Sequence, residues 1–249
     1  MARPDTVVFL GPSLPRREAE QILSAEYLPP AAMGDIYRVV SRPARARPQR
    51  IALVDGYFER MAAPWHKEIL WALERGVRVY GASSMGALRA AELEAFGMVG
   101  VGQIFEAYKS GQLTDDDEVA VLHGPGERGW PQMSEAMVNL RAGLEEAAAA
   151  GELSGPSAAQ LVALGKAVFY RERSWESLIH QGRAAGLPEP ELAALERRVK
   201  ARRPDRKAED ARGLLRLLAS GQEAPSGGPR VKMARTWFWW RFVEVMEEG

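Results

Sequence analysis

The sequence predicts an α/β fold: a mostly parallel, Rossmann-like sheet flanked by helices, followed by a C-terminal all-helical region. Two observations support this prediction. In the first half, short apolar runs that end in Gly, Asp or Ser alternate with helix-like segments, as is typical of strands buried on both faces. From about Pro131 onward the strand-like runs cease and helix-like segments follow one another. We therefore expect an α/β core over residues 1–130 and a helical region over 131–249 that packs on it.

Each predicted strand ends in a small or polar residue that would lie at the carboxyl edge of the sheet. The four runs are TVVFLG at 6–11, RIALVDG at 50–56, VRVYGAS at 77–83 and EVAVLHG at 118–124. Pro64 and Gly76 favour the start and the end of a helix between the second and third runs. Further on, the stretch at 221–229 is typical of a linker. The aromatic segment at 236–248 predicts a final helix or strand that packs in the core.

Composition and charge exclude several functional classes. The 33 basic residues balance the 33 acidic residues, so the net charge gives no reason to expect nucleic acid or a membrane as partner. The N-terminal apolar run is short for a signal peptide and no stretch approaches a membrane span, so we expect a cytoplasmic protein. The absence of cysteine excludes disulfides, thiolate metal sites and a cysteine nucleophile. We expect neither a metal nor a cofactor.

A serine-containing turn between a strand and a helix is the strongest local motif. In VYGASSMGALRAAEL at 79–93, Ser84 has Ala82 two residues before it and Gly86 two residues after it, which approximates the G-x-S-x-G nucleophile elbow. Such a turn presents a hydroxyl beside the amides of a helix N-terminus, where an oxyanion is stabilised. The simpler interpretation is that Ser83 or Ser84 only caps the helix.

A serine nucleophile needs a base, and His66 is the first candidate. It lies in the first turn of a predicted helix, where the helix dipole favours a neutral ring that can accept a proton. His123, at the end of a predicted strand, competes for this role, whereas His180 lies in the helical half and is expected at the surface or in packing. Asp55 ends a buried strand and would orient the histidine or bind a substrate amine, although a turn-forming role is the alternative.

Other polar residues near the strand ends are candidates for substrate binding. Arg89 either binds an anionic substrate or forms a surface ion pair with Glu92. The acidic run TDDDE at 114–118 is more typical of a solvated turn than of a magnesium site. The residues expected to contact substrate are Gly11, Ser13, Gly81, Ser83, Gly86, Arg89 and His123.

Ordered motifs between residues 11 and 142 resemble those of the TfuA-like core family. They are GPSL at 11–14, GDIYR at 34–38, VDGYFE at 54–59, WHKEILWAL at 65–73, GASSMGALRAAEL at 81–93, FGMVGVGQIFEAY at 96–108, DDDEVAVLHGP at 115–125 and MSEAMVNLRA at 133–142. The resemblance implies a partner of YcaO, the ATP-dependent enzyme that modifies backbone amides of ribosomal peptides, in thioamide formation. The ATP site would belong to YcaO, and this chain has no G-x-x-x-x-G-K-[ST] phosphate loop.

The same resemblance implies that the protein binds and activates YcaO and hydrolyses a thiocarboxylated ThiS-like carrier protein to release sulfide. The precursor peptide is a further candidate partner. On this hypothesis Ser84 is the nucleophile, with His66 and Asp55 as base and orienting acid. The alternative is a non-catalytic adaptor that only activates or recruits YcaO, in which the serine turn holds an anion. An independent serine hydrolase is less favoured because no lipase-type oxyanion motif occurs.

Overall fold

The computed structural model describes residues 5–58, 61–222 and 232–248, and within them the sheet strands and helices are well defined. The strands are β1 (Thr6–Phe9), β2 (Glu26–Leu28), β3 (Arg50–Leu53), β4 (Arg78–Ala82) and β5 (Val99–Val101). The helices are α1 (Arg16–Ile22), α2 (Asp35–Val40), α3 (His66–Glu74), α4 (Met85–Leu93), α5 (Gln103–Lys109), α6 (Met137–Ala149), α7 (Gly155–Ala167), α8 (Trp175–Ala184), α9 (Glu189–Ala201), α10 (Arg206–Ala219) and α11 (Trp237–Glu248).

The five strands form one parallel sheet in the order β2-β1-β3-β4-β5. Val8, Ala52 and Tyr80 align across the three central strands. These side chains pack with α1 and α10 in one apolar cluster on the same face of the sheet. The predicted parallel α/β sheet followed by helices is therefore confirmed. From β1 the chain adds β2 on one side and β3, β4 and β5 on the other, so the order of the strands changes direction between β1 and β3. Open parallel sheets bind ligands at such points.

One predicted strand is wrong, and two short strands were missed. The run at 118–124 forms no sheet strand: it begins in a short 3-10 turn, and only His123 makes an isolated antiparallel bridge, to Gln132. Its backbone pairs instead with the following loop, because Leu122 N–H donates to the Ser134 hydroxyl and Met133 N–H donates to the Leu122 carbonyl. The missed strands β2 and β5 have three residues each, too few to give a periodic pattern.

The chain separates into two compact units. Unit 1 comprises residues 1–114 and 208–249, and unit 2 comprises residues 115–207. The expected boundary between residues 130 and 131 thus lies inside unit 2, and the last two helices belong to the same unit as the sheet. Unit 2 is a helical cluster whose core includes the fully buried Trp175.

Helix α11 packs on unit 1 through an aromatic cluster. Trp239 is 2% exposed and its ring lies 5.7 Å from that of Trp71 and 6.0 Å from that of Tyr37, between ring centroids. The expectation of core packing is confirmed for Trp239 but is wrong for Trp237 and Phe238, which are exposed. Most of the predicted linker at 221–229 lies outside the described residues. Within the described residues, no helix combines the length and apolarity needed to cross a bilayer.

Candidate active site

The Asp55 carboxylate joins the loops that follow β1 and β3, at the point where the strand order reverses. Asp55 is 1% exposed. Its Oδ2 accepts the N–H groups of Gly11 at 2.8 Å and Ser13 at 3.1 Å, and its Oδ1 accepts the Ser13 hydroxyl at 2.6 Å. These contacts assign Asp55 a positioning role, and they occupy the two amides that an anionic substrate would otherwise use. The space beside Gly11 is filled as well, since a Cβ atom there would lie 2.3 Å from Pro30.

A strained turn connects β4 to α4. The Ser84 N–H donates to the Ala82 carbonyl at 2.9 Å, closing a three-residue γ-turn centred on Ser83. Ser83 has a φ angle of +70°, a left-handed conformation that is costly for a residue with a side chain. Strain at a strand-to-helix turn is the defining feature of a nucleophile elbow. The positive φ angle lies at Ser83 and not at Ser84, whose φ is −108°.

Two glycines allow this turn to form. A Cβ atom on Gly81 would lie 2.1 Å from the Gly86 carbonyl oxygen, and one on Gly86 would lie 1.8 Å from the Leu53 carbonyl oxygen. The start of α4 therefore contacts the ends of β3 and β4 backbone to backbone. Each serine has one of the two glycines of the elbow pattern: Gly81 precedes Ser83 by two residues, and Gly86 follows Ser84 by two.

Both serine hydroxyls are available for a role other than capping. Ser84 is the N-cap residue of α4, yet its side chain makes no capping hydrogen bond. The Ser83 side chain is fully buried, and its Oγ has no hydrogen-bond partner among the described residues. The simple capping interpretation is therefore wrong for both residues. An unsatisfied buried hydroxyl is uncommon and indicates strain or function.

His66 pairs with Glu92, and Asp55 is engaged elsewhere. His66 Nε2 lies 2.8 Å from Glu92 Oε2, which also accepts Arg89 Nη1 at 2.7 Å, so the predicted Arg89–Glu92 ion pair is confirmed. Burial raises the pKa of Glu92, but His66 and Arg89 outweigh it and the net pKa is lowered. Glu92 follows Ser84 by eight positions, about 12 Å along the helix at roughly 1.5 Å per residue. Sequence reasoning missed the His66–Glu92 pair because the contact joins two different helices.

Residues 55–174 match the family model of TfuA-like protein. The matched range includes Asp55, His66 and the whole serine turn. These residues, close to half of the chain, belong to the TfuA-like family. Membership links this TfuA-like protein to the YcaO-associated thioamidation system. No curated protein matches the chain as a relative.

The remaining histidines of this TfuA-like protein differ in environment. His123 lies in unit 2, where its Nδ1 is 2.9 Å from the Gly124 carbonyl oxygen. The serine turn lies in unit 1, so His123 does not belong to the same compact unit as the predicted nucleophile. His180 is exposed on α8, as predicted.

The acidic run at 114–118 is neutralised by basic side chains. Asp115, Asp117 and Glu118 are close enough together to hold a metal ion. The Lys166 ammonium contacts all three carboxylates, at 3.0 Å from Asp115 and 3.1 Å from Glu118. Burial raises the pKa of Asp117, but hydrogen bonds from Lys166 and Arg173 outweigh it and lower the pKa overall. A lysine thus occupies the position that a cation would take.

Proposed function

We propose that this TfuA-like protein binds and activates YcaO during peptide backbone thioamidation, and that it hydrolyses a thiocarboxylated ThiS-like carrier protein to release sulfide. Family membership supports the role beside YcaO. The observation that supports hydrolysis is the strained turn around Ser83 at the N-terminus of α4. Strain of about 1–3 kcal/mol persists in proteins mainly where it serves a site.

The proposed reaction is acyl transfer to a serine. A serine oxygen attacks the thiocarboxylate carbon, the C–S bond breaks, and sulfide leaves with the hydroxyl proton. Water then attacks the acyl-serine ester, which restores the serine and gives the carrier carboxylate. In the first turn of α4, Ser84 N–H donates to Ala82 and Gly86 N–H donates to the Val54 carbonyl at 3.2 Å. The Met85 amide is the donor that we assign to the oxyanion, aided by the helix dipole.

Ser84 is the nucleophile that the sequence favours, and the turn geometry favours Ser83. The central residue of the γ-turn carries the strain, and its hydroxyl is the one without a partner. Because Ser83 is fully buried, its attack requires the carrier C-terminus to enter beside α4 and displace the groups that cover it. We therefore propose Ser83 as the nucleophile and Ser84 as its neighbour in substrate binding.

His66 is retained as the proposed base, with Glu92 in place of Asp55 as its orienting acid. The 2.8 Å contact between His66 and Glu92 is of the kind that fixes the ring in hydrolase triads. Since the pair lies about two turns along α4 from the serines, the proton passes through water in this proposal. Arg89, which donates to Glu92 and to the Pro64 carbonyl, holds the pair in place.

The test uses purified full-length protein with a thiocarboxylated ThiS-like carrier and no YcaO. Carrier mass and free sulfide are followed for wild type, Ser83→Ala, Ser84→Ala and the double variant. We expect the double variant and Ser83→Ala to lose at least about a thousandfold in rate, as nucleophile removal does elsewhere. An unchanged rate in the folded double variant would overturn the hydrolase proposal. Loss in Ser84→Ala alone would restore the assignment from the sequence.

A second candidate function is that of a non-catalytic adaptor. The specific observation in its favour is that the Ser83 hydroxyl is fully buried and contacts no base in the described part of the chain. An adaptor would stimulate YcaO equally well with both serines replaced and would leave the thiocarboxylate intact. YcaO activity measured with a ready supply of sulfide separates this function from hydrolysis.

A further inference from the structure

Unit 2 contains a polar pocket of about 450 Å³ that is separate from the serine turn in the chain. It lies between the start of α6, the start of α8 and the segment that connects α9 to α10. Its volume falls in the roughly 300–1,000 Å³ range of small-ligand sites. The residues that matter for its chemistry are Glu135, Asn139, Arg173, Glu176, Arg203 and Asp205.

A buried carboxylate forms one wall of the pocket. Glu135 is 4% exposed, although carboxylates are seldom buried without strong partners. Its Oε1 accepts the Asn139 amide at 2.9 Å and the Gln132 amide at 3.0 Å. Its Oε2 is 3.2 Å from Arg203 Nε in an ion pair. The two amides hold the carboxylate in a fixed orientation, with Oε2 left to face a cation.

The cation that now faces Glu135 is the Arg203 guanidinium, whose side chain is 55% exposed. It also reaches Glu176 at 3.5 Å, and because both side chains of that second pair are exposed, the pair contributes little to stability. Arg173, the other arginine in the lining, is already bound to Asp117 and to the Gly165 and Val168 carbonyls. Arg203 is therefore a replaceable group between two carboxylates.

We propose that this pocket binds an arginine side chain presented by a polypeptide, whose guanidinium takes the place of Arg203 between Glu135 and Glu176. A planar guanidinium already bridges these two carboxylates, and its fork of donors matches that spacing better than the compact ammonium of lysine does. Asp205, which accepts the Asn139 amide at 3.3 Å, adds a third carboxylate to a lining that has two arginines. This site is independent of the proposed hydrolysis.

The test is calorimetric titration of the full-length protein with N-acetyl-arginine N-methylamide at low salt. The citrulline analogue has nearly the same shape without the charge and is the matched ligand control. We expect Arg203→Ala to bind the arginine probe at least about tenfold more tightly than wild type, because the competing guanidinium is gone. Adding Glu135→Gln should reverse this gain by about tenfold or more, in line with a lost charge-assisted hydrogen bond.

Two controls keep the proposal testable. If Glu135→Gln does not fold, Glu176→Gln replaces it, since Glu176 is 77% exposed and its substitution leaves the core intact. If free arginine binds more tightly than the blocked probe, the ligand is the free amino acid and not an arginine presented by a polypeptide. Equal binding of the arginine and citrulline probes, or no gain in Arg203→Ala, would overturn the site itself. None of these measurements depends on sulfide release.

Discussion

Ser83 combines a positive φ angle with a buried hydroxyl that bonds to no described residue. The conformation costs about 1–3 kcal/mol. No hydrogen bond from the Ser83 hydroxyl to a described residue offsets this cost. A residue of this kind lowers stability, and its presence at the carboxyl edge of the sheet is the main residue-scale reason to assign it a chemical role.

Ser83→Gly should therefore stabilise the protein by about 1 kcal/mol while abolishing sulfide release. Glycine adopts the left-handed region without strain, and this gain exceeds its cost of roughly 0.5–1 kcal/mol in chain entropy. Urea unfolding measures the change. Ser41→Gly is the matched control and should destabilise, since Ser41 at the end of α2 has an ordinary right-handed conformation, with φ −74° and ψ −10°. A destabilised Ser83→Gly would contradict the assigned strain.

A second prediction at the residue scale concerns Lys166. Its ammonium contacts three carboxylates, so Lys166→Ala leaves Asp115, Asp117 and Glu118 without that cation. We expect the variant to melt at a lower temperature and to recover several degrees in millimolar Ca²⁺, because clustered carboxylates bind hard cations. Arg141→Ala is the control, since Arg141 forms an ion pair with Glu118, one of the three carboxylates. A Ca²⁺ response as large in Arg141→Ala as in Lys166→Ala would argue against a specific site.

At the scale of elements, one buried carboxylate holds the starts of two helices. Glu68 accepts the N–H groups of Gly34 at 2.9 Å and Tyr37 at 3.1 Å, both at the start of α2, and that of Trp65 at 3.2 Å before α3. Burial outweighs these three bonds and raises the pKa of Glu68 to about 7. The packing of α2 on α3 is therefore coupled to protonation near neutral pH.

The sign of this coupling follows from linkage. The native pKa of Glu68 lies above the 4.5 of a solvated glutamate, so the stabilising effect of protonated Glu68 is complete below pH 4.5 and is lost as the pH rises to about 7. The unfolding free energy of wild type relative to Glu68→Gln should thus fall by about 3 kcal/mol between pH 4.5 and pH 7.5. Denaturant titrations at four pH values measure it. A difference that does not change with pH would show an unshifted pKa.

Elements with a strong local pattern could be predicted from the sequence, and those defined by distant contacts could not. The β4–α4 turn was found because strand, small residues and helix follow one another in the chain. Which serine takes the positive φ could not be predicted, since φ at Ser83 depends on how α4 packs on β3. The run at 118–124 looks like a strand, but its backbone pairs with the loop at 131–134. The partner of His66 likewise comes from a separate helix.

At the scale of the whole molecule, unit 1 is built from two separate parts of the chain. The sheet and its first helices come from residues before 115, and one face of the sheet is covered by α10, which carries Leu214, Leu215 and Leu218 into the same cluster. These leucines are at most 2% exposed. Unit 2 is inserted between these two parts of unit 1.

Truncation should separate the contributions of the last two helices. A chain that stops after Lys207 loses α10 and α11, exposes the apolar face of the sheet, and should aggregate or bind a hydrophobic dye. A chain that stops after Gln222 keeps α10 and should unfold cooperatively, although several kcal/mol less stably, because Trp239 no longer packs on Trp71. Circular dichroism and dye fluorescence compare the two. Equal behaviour would contradict the role of α10.

This arrangement also affects the order in which the protein can fold during translation. All five strands are synthesised before residue 102, whereas α10 begins only at residue 206. While the inserted unit is being synthesised, the sheet has one apolar face without its cover. The nascent chain is therefore expected to need shielding by a chaperone until the last forty or so residues emerge, and silent changes that slow translation of the insert should lower the yield of folded protein.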